Sequence, residues 1–304
     1  MPIGLALGLL ASLTWGIGEV AGAISTRMIG SLRVLVWAQA VSIVTLVVIV
    51  LVRPDLLGPT ALAGIVAAFP FGLMASLVYL AYYTSLRIGP VSIVSPVIVA
   101  YGGATVVLAV LFRGESLTLA QAGGAAVATA GVVLAAISFE GAPGGRKRGL
   151  SISVVGPGVA VALFTMAGFA IVTVLLAGPV GTYGWLPAAI GSRLGNNVAS
   201  MLLLVVALRT GSPRFRPLLL PWHGWSRRSV LLALAAGAFD TIGFVGFVIG
   251  LGLAPAWLLG LSSSFGPVLA VVWAVASLGE RPRLSQWMGL VAIGAGVVVL
   301  AVAG

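Results

Sequence analysis

The chain has 304 residues, 60% of them apolar and only 7% charged, with a mean hydropathy of +1.20, a balance that excludes an ordinary soluble domain. A net charge of +10 would suggest nucleic acid in a soluble protein, but 15 of the 16 Lys and Arg residues gather at the ends of apolar runs, where anionic headgroups lie, so no nucleic-acid partner is expected. The absence of cysteine excludes a disulfide framework, thiol chemistry and a Cys-based metal site.

A membrane crossing needs roughly 20 mostly apolar residues. Ten runs meet that length: 3–25, 33–52, 61–86, 90–112, 119–138, 152–177, 183–208, 230–251, 255–278 and 286–303. The first carries Trp15 and an isolated carboxylate, Glu19. Its AGA at 21–23 faintly resembles a signal-cleavage site, but no basic residue precedes the run, so it is read as a retained span. The third places Tyr79, Tyr82 and Tyr83 at i, i+3 and i+4 on one helix face. Such a cluster suits interhelical hydrogen bonding and the binding of a ring or cation equally well. The fourth run contains Tyr101 and ends at Gly114-Glu115. Thr118 and Gln121 then have the spacing of a capping box opening the fifth. Gly124 and Gly131 there, with Gly289 and Gly296 in the tenth, make thin ridges suited to helix packing or a homodimer contact.

Residues 139–151 (FEGAPGGRKRGLS) are too short and too rich in Gly and basic residues to fold alone and are read as a linker between units 1–138 and 152–304. Arg193 in the seventh run has Asn196 and Asn197 at i+3 and i+4, and Gln39 of the second run is the expected counterpart of that polar face. Trp222 and Trp225 flank His223 beside Arg227 and Arg228, the composition of an interfacial anchor. The eighth run contains Asp240. In the ninth, Ser262, Ser263 and Ser264 precede Gly266-Pro267, and that proline is expected to free the Ser263 carbonyl toward protein or a cavity. Glu115 and Glu280 fall in surface turns, where each is expected to favour the N-terminus of the helix that follows it.

Loops after odd-numbered runs hold Arg27, Arg33, Arg87, Arg146, Lys147, Arg148, Arg209, Arg214, Arg216, Arg227, Arg228, Arg281 and Arg283; loops after even-numbered runs hold only Arg53 and Arg113. The positive-inside rule then places both termini outside the cytoplasm. The sequence also repeats. A shift of 165 residues aligns 89–135 with 254–300 at 14 of 47 identical positions, and Gly-Glu, Gln, Gly and Gly-Val-Val recur at fixed spacing as Gly114, Glu115, Gln121, Gly124, Gly131, Val132, Val133 and Gly279, Glu280, Gln286, Gly289, Gly296, Val297, Val298. Five runs per unit is an odd number, so the second unit enters the membrane from the opposite side, as an inverted repeat around a midplane site.

The Trp15-Gly16 pair, the YYTSLRIGPVSIVSP segment and the duplicated Gly-Glu signature resemble the drug/metabolite transporter superfamily in its EamA-like branch. The resemblance covers the whole chain and implies a multi-spanning permease of the cytoplasmic membrane that exports amino acids, other metabolites or toxic compounds, or in some branches imports sugars. One departure is Gly102, which stands where the second copy keeps Pro267.

Glu19, Arg193 and Asp240 are the charged residues in the membrane interior, away from the ends of the runs. Each is estimated to cost roughly 2.5–3.5 kcal/mol when central, and such residues face a bundle interior or wet cavity. The expected function is a secondary transporter of a small polar or amphipathic solute, in an all-α fold of ten helices. The candidate substrate or coupling residues are Glu19, Arg193, Asp240, Asn196, Asn197, Trp15, Tyr79, Tyr83, Tyr101, Ser263 and Ser264. With two acids and one base, one acid is left over as a candidate proton site; the alternative is a charge network that merely locks helices together. An enzyme is not expected, because no paired-carboxylate metal motif and no nucleophile beside a base occurs, and no cofactor is expected. A non-transporting membrane protein is the remaining alternative. No Gly-rich phosphate loop of the Lys-Ser/Thr type is present, so transport would run on gradients.

Overall fold

A computed structural model describes residues 2–89, 91–136, 157–211, 218–219, 225–265 and 284–303, and these are helical throughout apart from turns. The helices are α1 (Pro2–Ile29), α2 (Ser31–Val52), α3 (Ala61–Ile88), α4 (Val91–Val99), α5 (Tyr101–Arg113), α6 (Leu119–Ala136), α7 (Pro157–Tyr183), α8 (Trp185–Thr210), α9 (Arg227–Leu251), α10 (Ala256–Ser262) and α11 (Leu284–Ala303). Six of them, α1, α2, α3, α7, α8 and α9, are long and apolar enough to cross a membrane. The fourth predicted run differs from expectation, since it is two helices meeting at Ala100 rather than one. The ninth is described only as far as Phe265, so Pro267 and its effect on Ser263 lie outside the described residues, as do the 139–151 linker, Trp222, His223 and Glu280.

Helices in a bilayer gain little from hydrophobic association and need close backbone approach instead. The α3–α8 seam illustrates this. A side chain on Gly72 would overlap the Ser192 carbonyl, and one on Gly191 or Gly195 would overlap the carbonyl of Ile65 or Phe69. The G-x-x-x-G spacing of 191–195 therefore lets α8 lie directly on α3. Arg193, two residues from each glycine, is carried to the opposite side of α8.

Packing pairs recur between the two halves. Helix α1 runs along α9 and α7 along α3; α2 packs on α9 and α8 on α3; α5 meets α10, and α6 meets α11. Exchanging the halves maps each of the first two contacts onto its partner. The joints match too: α1 and α2 are separated by Gly30 (φ 92°, ψ 152°), and α7 and α8 by Gly184 (φ 88°, ψ 163°). That backbone conformation is essentially restricted to glycine, so one residue suffices to redirect the chain from one helix into the next.

The Gly-Glu signature has a different role from the one expected. Gly114 ends α5 in the left-handed conformation (φ 64°). Glu115 does not bond the helix that follows it. Its Oε1 and Oε2 accept the backbone N–H groups of Ala256 and Trp257, each at 3.1 Å, at the start of α10 in the other half, while Arg113 Nε donates to Oε1 at 3.0 Å. Two orphan helix-end donors are thereby satisfied across the two halves. The Thr118–Gln121 capping box forms as expected, with reciprocal bonds of 2.9 and 3.2 Å. Gln121 also donates to the Ala303 carbonyl of α11. Gly124 and Gly296 meet between α6 and α11, a packing seam within the chain.

Candidate functional site

A cavity of about 120 Å³ lies within the helix bundle, lined by residues of α1, α3, α4, α5, α7, α8 and α9 together with Ser263 after α10. One water needs roughly 10–15 Å³ by this kind of measure, so the space admits a small solute or several waters. Both halves of the chain contribute walls. Its lining is mostly apolar and aromatic, with Glu19, Arg193 and Asp240 converging on it.

Arg193 is 1% exposed and held from several directions. Its Nη2 lies 2.9 Å from Asp240 Oδ2, an ion pair set off the in-line hydrogen-bond direction. Nη1 donates to Gln39 Oε1 at 3.0 Å, so the expected counterpart in α2 is in place. The guanidinium carbon stands 3.7 Å from the Phe244 ring centroid and 5.5 Å from that of Tyr79. Planar stacking of this kind suits a guanidinium, whose charge is delocalised and weakly hydrated. Asp240 is completed by the Tyr79 hydroxyl, which donates to Oδ1 at 2.8 Å, and its backbone carbonyl accepts the Trp15 indole N–H at 3.1 Å. Five helices, α1, α2, α3, α8 and α9, are tied together at this point.

Glu19 is arranged differently. Its carboxylate meets the Ser95 hydroxyl of α4, while Oε1 is shielded from solvent and has no hydrogen-bond partner. Arg193 is engaged with Asp240, so Glu19 is the acid without a cationic partner. Asn196 Oδ1 and Ser12 Oγ are likewise buried without partners beside the same cavity.

Most of the residues expected at the site are gathered there: Trp15, Glu19, Tyr79, Tyr83, Tyr101, Arg193, Asn196, Asp240 and Ser263 all line the cavity. Tyr101 bonds Ser263, joining the start of α5 to the residue just past α10. Two do not line it. Asn197 Nδ2 donates to the carbonyls of Gln39 and Arg193, because its place at i+4 lies toward α2 rather than toward the cavity. Ser264 bonds back to Leu261 and packs on Gly102, filling the space opened by a missing Cβ. Sequence reasoning had not singled out Phe169, Phe244 and Phe247 among the lining residues. Phe169 contacts the rings of Tyr79, Tyr82 and Tyr101 at centroid distances of 5.2, 5.9 and 6.0 Å. Phenylalanine at apolar depth carries no signal that distinguishes a site wall from a lipid-facing residue, so these were not legible. Among the described residues no group of His, Cys, Asp and Glu is arranged to hold a metal.

The model of the EamA-like transporter family matches residues 2–137 and again residues 156–302. A solved crystal structure of a protein, 21% identical, aligns over 97% of this chain and 95% of its own with a TM-score of 0.70, which shows a shared fold. No curated protein matches the sequence.

Proposed function

Because the chain belongs to the EamA-like transporter family, with the family unit present twice, we propose that it is a secondary transporter of a small polar or amphipathic metabolite, exporting it in exchange for protons. The observation that carries this reading is the cavity built from both halves, with Glu19 left without a cationic partner beside a closed Arg193–Asp240 pair. Family members are transporters rather than enzymes.

In this reading the ten runs form two five-helix units of opposite orientation. The exchange-symmetric packing of α1–α9 with α7–α3, and the matched Gly30 and Gly184 joints, support it. The halves rock about the cavity and expose it alternately to the two sides. Arg27, Arg33, Arg87, Arg209, Arg227 and Arg228 cluster at one end of the bundle and Arg53 and Arg113 at the other, so the first end faces the cytoplasm of a cell membrane and the termini face outward. On the outward end the Glu115 bonds to α10 tie the two halves and open when the cavity faces that side.

Glu19 carries the coupling. An acid in a low-dielectric cavity is stable when neutral or when a cation is beside it, so proton uptake and release accompany each change of access. The test is counterflow in proteoliposomes preloaded with candidate solutes, chosen by growth of cells with and without the gene on amino acids, analogues, sugars and toxic cations. Solute exchange that requires the protein supports transport; absence of exchange for every solute that alters growth contradicts it.

A further inference from the structure

The charges lining the cavity among the described residues sum to minus one when Glu19 is ionised, since Arg193 and Asp240 cancel and no other formally charged side chain among those residues lines it. Asp240 neutralises the guanidinium, Gln39 takes Nη1 and Phe244 covers one face, so an acidic ligand would bring a further negative charge to a net-negative cavity and compete with a buried ion pair for Nε and Nη2. Of the buried lining atoms without hydrogen-bond partners, Arg193 Nε and Nη2 and Asp240 Oδ2 belong to the ion pair; of the rest, Glu19 Oε1 and Asn196 Oδ1 are acceptors and Ser12 Oγ can donate or accept, and the surrounding walls are rings: Trp15, Tyr79, Tyr82, Phe169 and Phe244.

We infer that the ligand is a protonated organic amine with a small ring or apolar body and no carboxylate, its ammonium N–H groups donated to Glu19 and Asn196 and its body held against the aromatic walls. The inference rests on the transport reading of the same cavity and names its substrate class. Aromatic faces attract cations, and unmet acceptors reject a ligand that lacks donors more strongly than an apolar wall rejects an extra methylene. Proton and ammonium then compete for one carboxylate, so that binding an amine displaces a proton from Glu19. The other titratable or charged groups facing Glu19 are Asp240 on α9, Arg193 on α8, Tyr79, Tyr82 and Tyr83 on α3, and Tyr101 on α5. Of these, Arg193 and Asp240 offset each other and the tyrosines stay neutral.

The experiment titrates the full chain, purified in detergent, with three probes sharing a phenyl ring and two-carbon arm: phenethylamine, phenylalanine and 3-phenylpropionate. Calorimetry in buffers of different ionisation enthalpy counts protons. Phenethylamine is expected to bind about tenfold or more tighter than phenylalanine, to release a proton when Glu19 is protonated beforehand, and to weaken as pH falls; 3-phenylpropionate is expected not to bind. Glu19→Gln loses about tenfold or more in amine affinity, and Glu19→Asp recovers part of it at unchanged thermal stability. Tighter binding of phenylalanine or 3-phenylpropionate, no binding of the amine, or an unchanged affinity in Glu19→Gln overturns the assignment. The two readings separate in counterflow. An amine that binds but never crosses contradicts transport while leaving the ligand class intact, and phenylalanine bound and moved in preference contradicts the ligand class while leaving transport intact.

Discussion

Asp240 receives the Tyr79 hydroxyl and the Arg193 guanidinium on its side chain while its backbone holds Trp15, so it is the paired acid of the cavity, whereas Glu19 meets Ser95 and has no cationic partner. Removing one partner of a buried pair strands the other. Asp240→Asn should therefore destabilise the protein by roughly 3–5 kcal/mol, measured as denaturant unfolding in detergent, and the double variant Arg193→Met/Asp240→Leu should recover most of that loss. Equal losses in the single and double variants would mean that the pair contributes nothing beyond its packing. The choice between the acids was not legible in the sequence. Glu19, Arg193 and Asp240 announce themselves by being charged in apolar runs, but which acid meets Arg193 depends on helix rotation and on the α3–α8 approach set by Gly72, Gly191 and Gly195. Helix rotation likewise turns Asn197 toward α2 and Ser264 toward Gly102 rather than toward the cavity. Within a single helix, i+3 and i+4 look alike, yet Asn196 faces the cavity and Asn197 faces α2.

At the scale of elements, glycine joints and cross-half caps shape the bundle. Gly30→Ala or Gly184→Ala should each cost about 1–3 kcal/mol through backbone strain, whereas Gly123→Ala, in the helix α6 with open space around it, should be neutral or gain up to about 1 kcal/mol. Thermal unfolding of the three variants checks the contrast, and equal effects would remove the strain argument. Glu115→Ala leaves two N–H groups of α10 unmet and should lower stability by about 1 kcal/mol or more. The same variant should leave phenethylamine affinity unchanged, because Glu115 lies outside the cavity. Run lengths and the Thr118–Gln121 box could be read directly, since composition and local spacing encode them. The break at Ala100 and the reach of Glu115 to α10 could not, because both depend on contacts between distant parts of the chain.

For the whole molecule, orientation and cavity access give independent checks. Reporters fused after residues 148 and 216 should behave as cytoplasmic and one after residue 304 as external; the reverse pattern would invert the topology. Cys introduced for Ser12, Thr173 or Tyr101 should react with small aqueous thiol reagents and be protected by bound solute, while Cys for Ser264, which packs on Gly102, should stay inert. The duplicated signature made the two-unit plan legible, because polar residues at fixed spacing survive where apolar ones drift. The aromatic walls were not, since rings are common at every depth of such a chain. The central claim, that Glu19 exchanges a proton for the solute, is tested most directly by radiolabelled phenethylamine uptake into proteoliposomes, with an imposed pH gradient, acidic inside, as the only driving force. The wild-type protein should accumulate the amine above the level of protein-free vesicles and lose that excess when the gradient is dissipated, and Glu19→Gln should show no gradient-dependent excess. Uphill accumulation by Glu19→Gln with the same dependence on the pH gradient as the wild type would contradict the account.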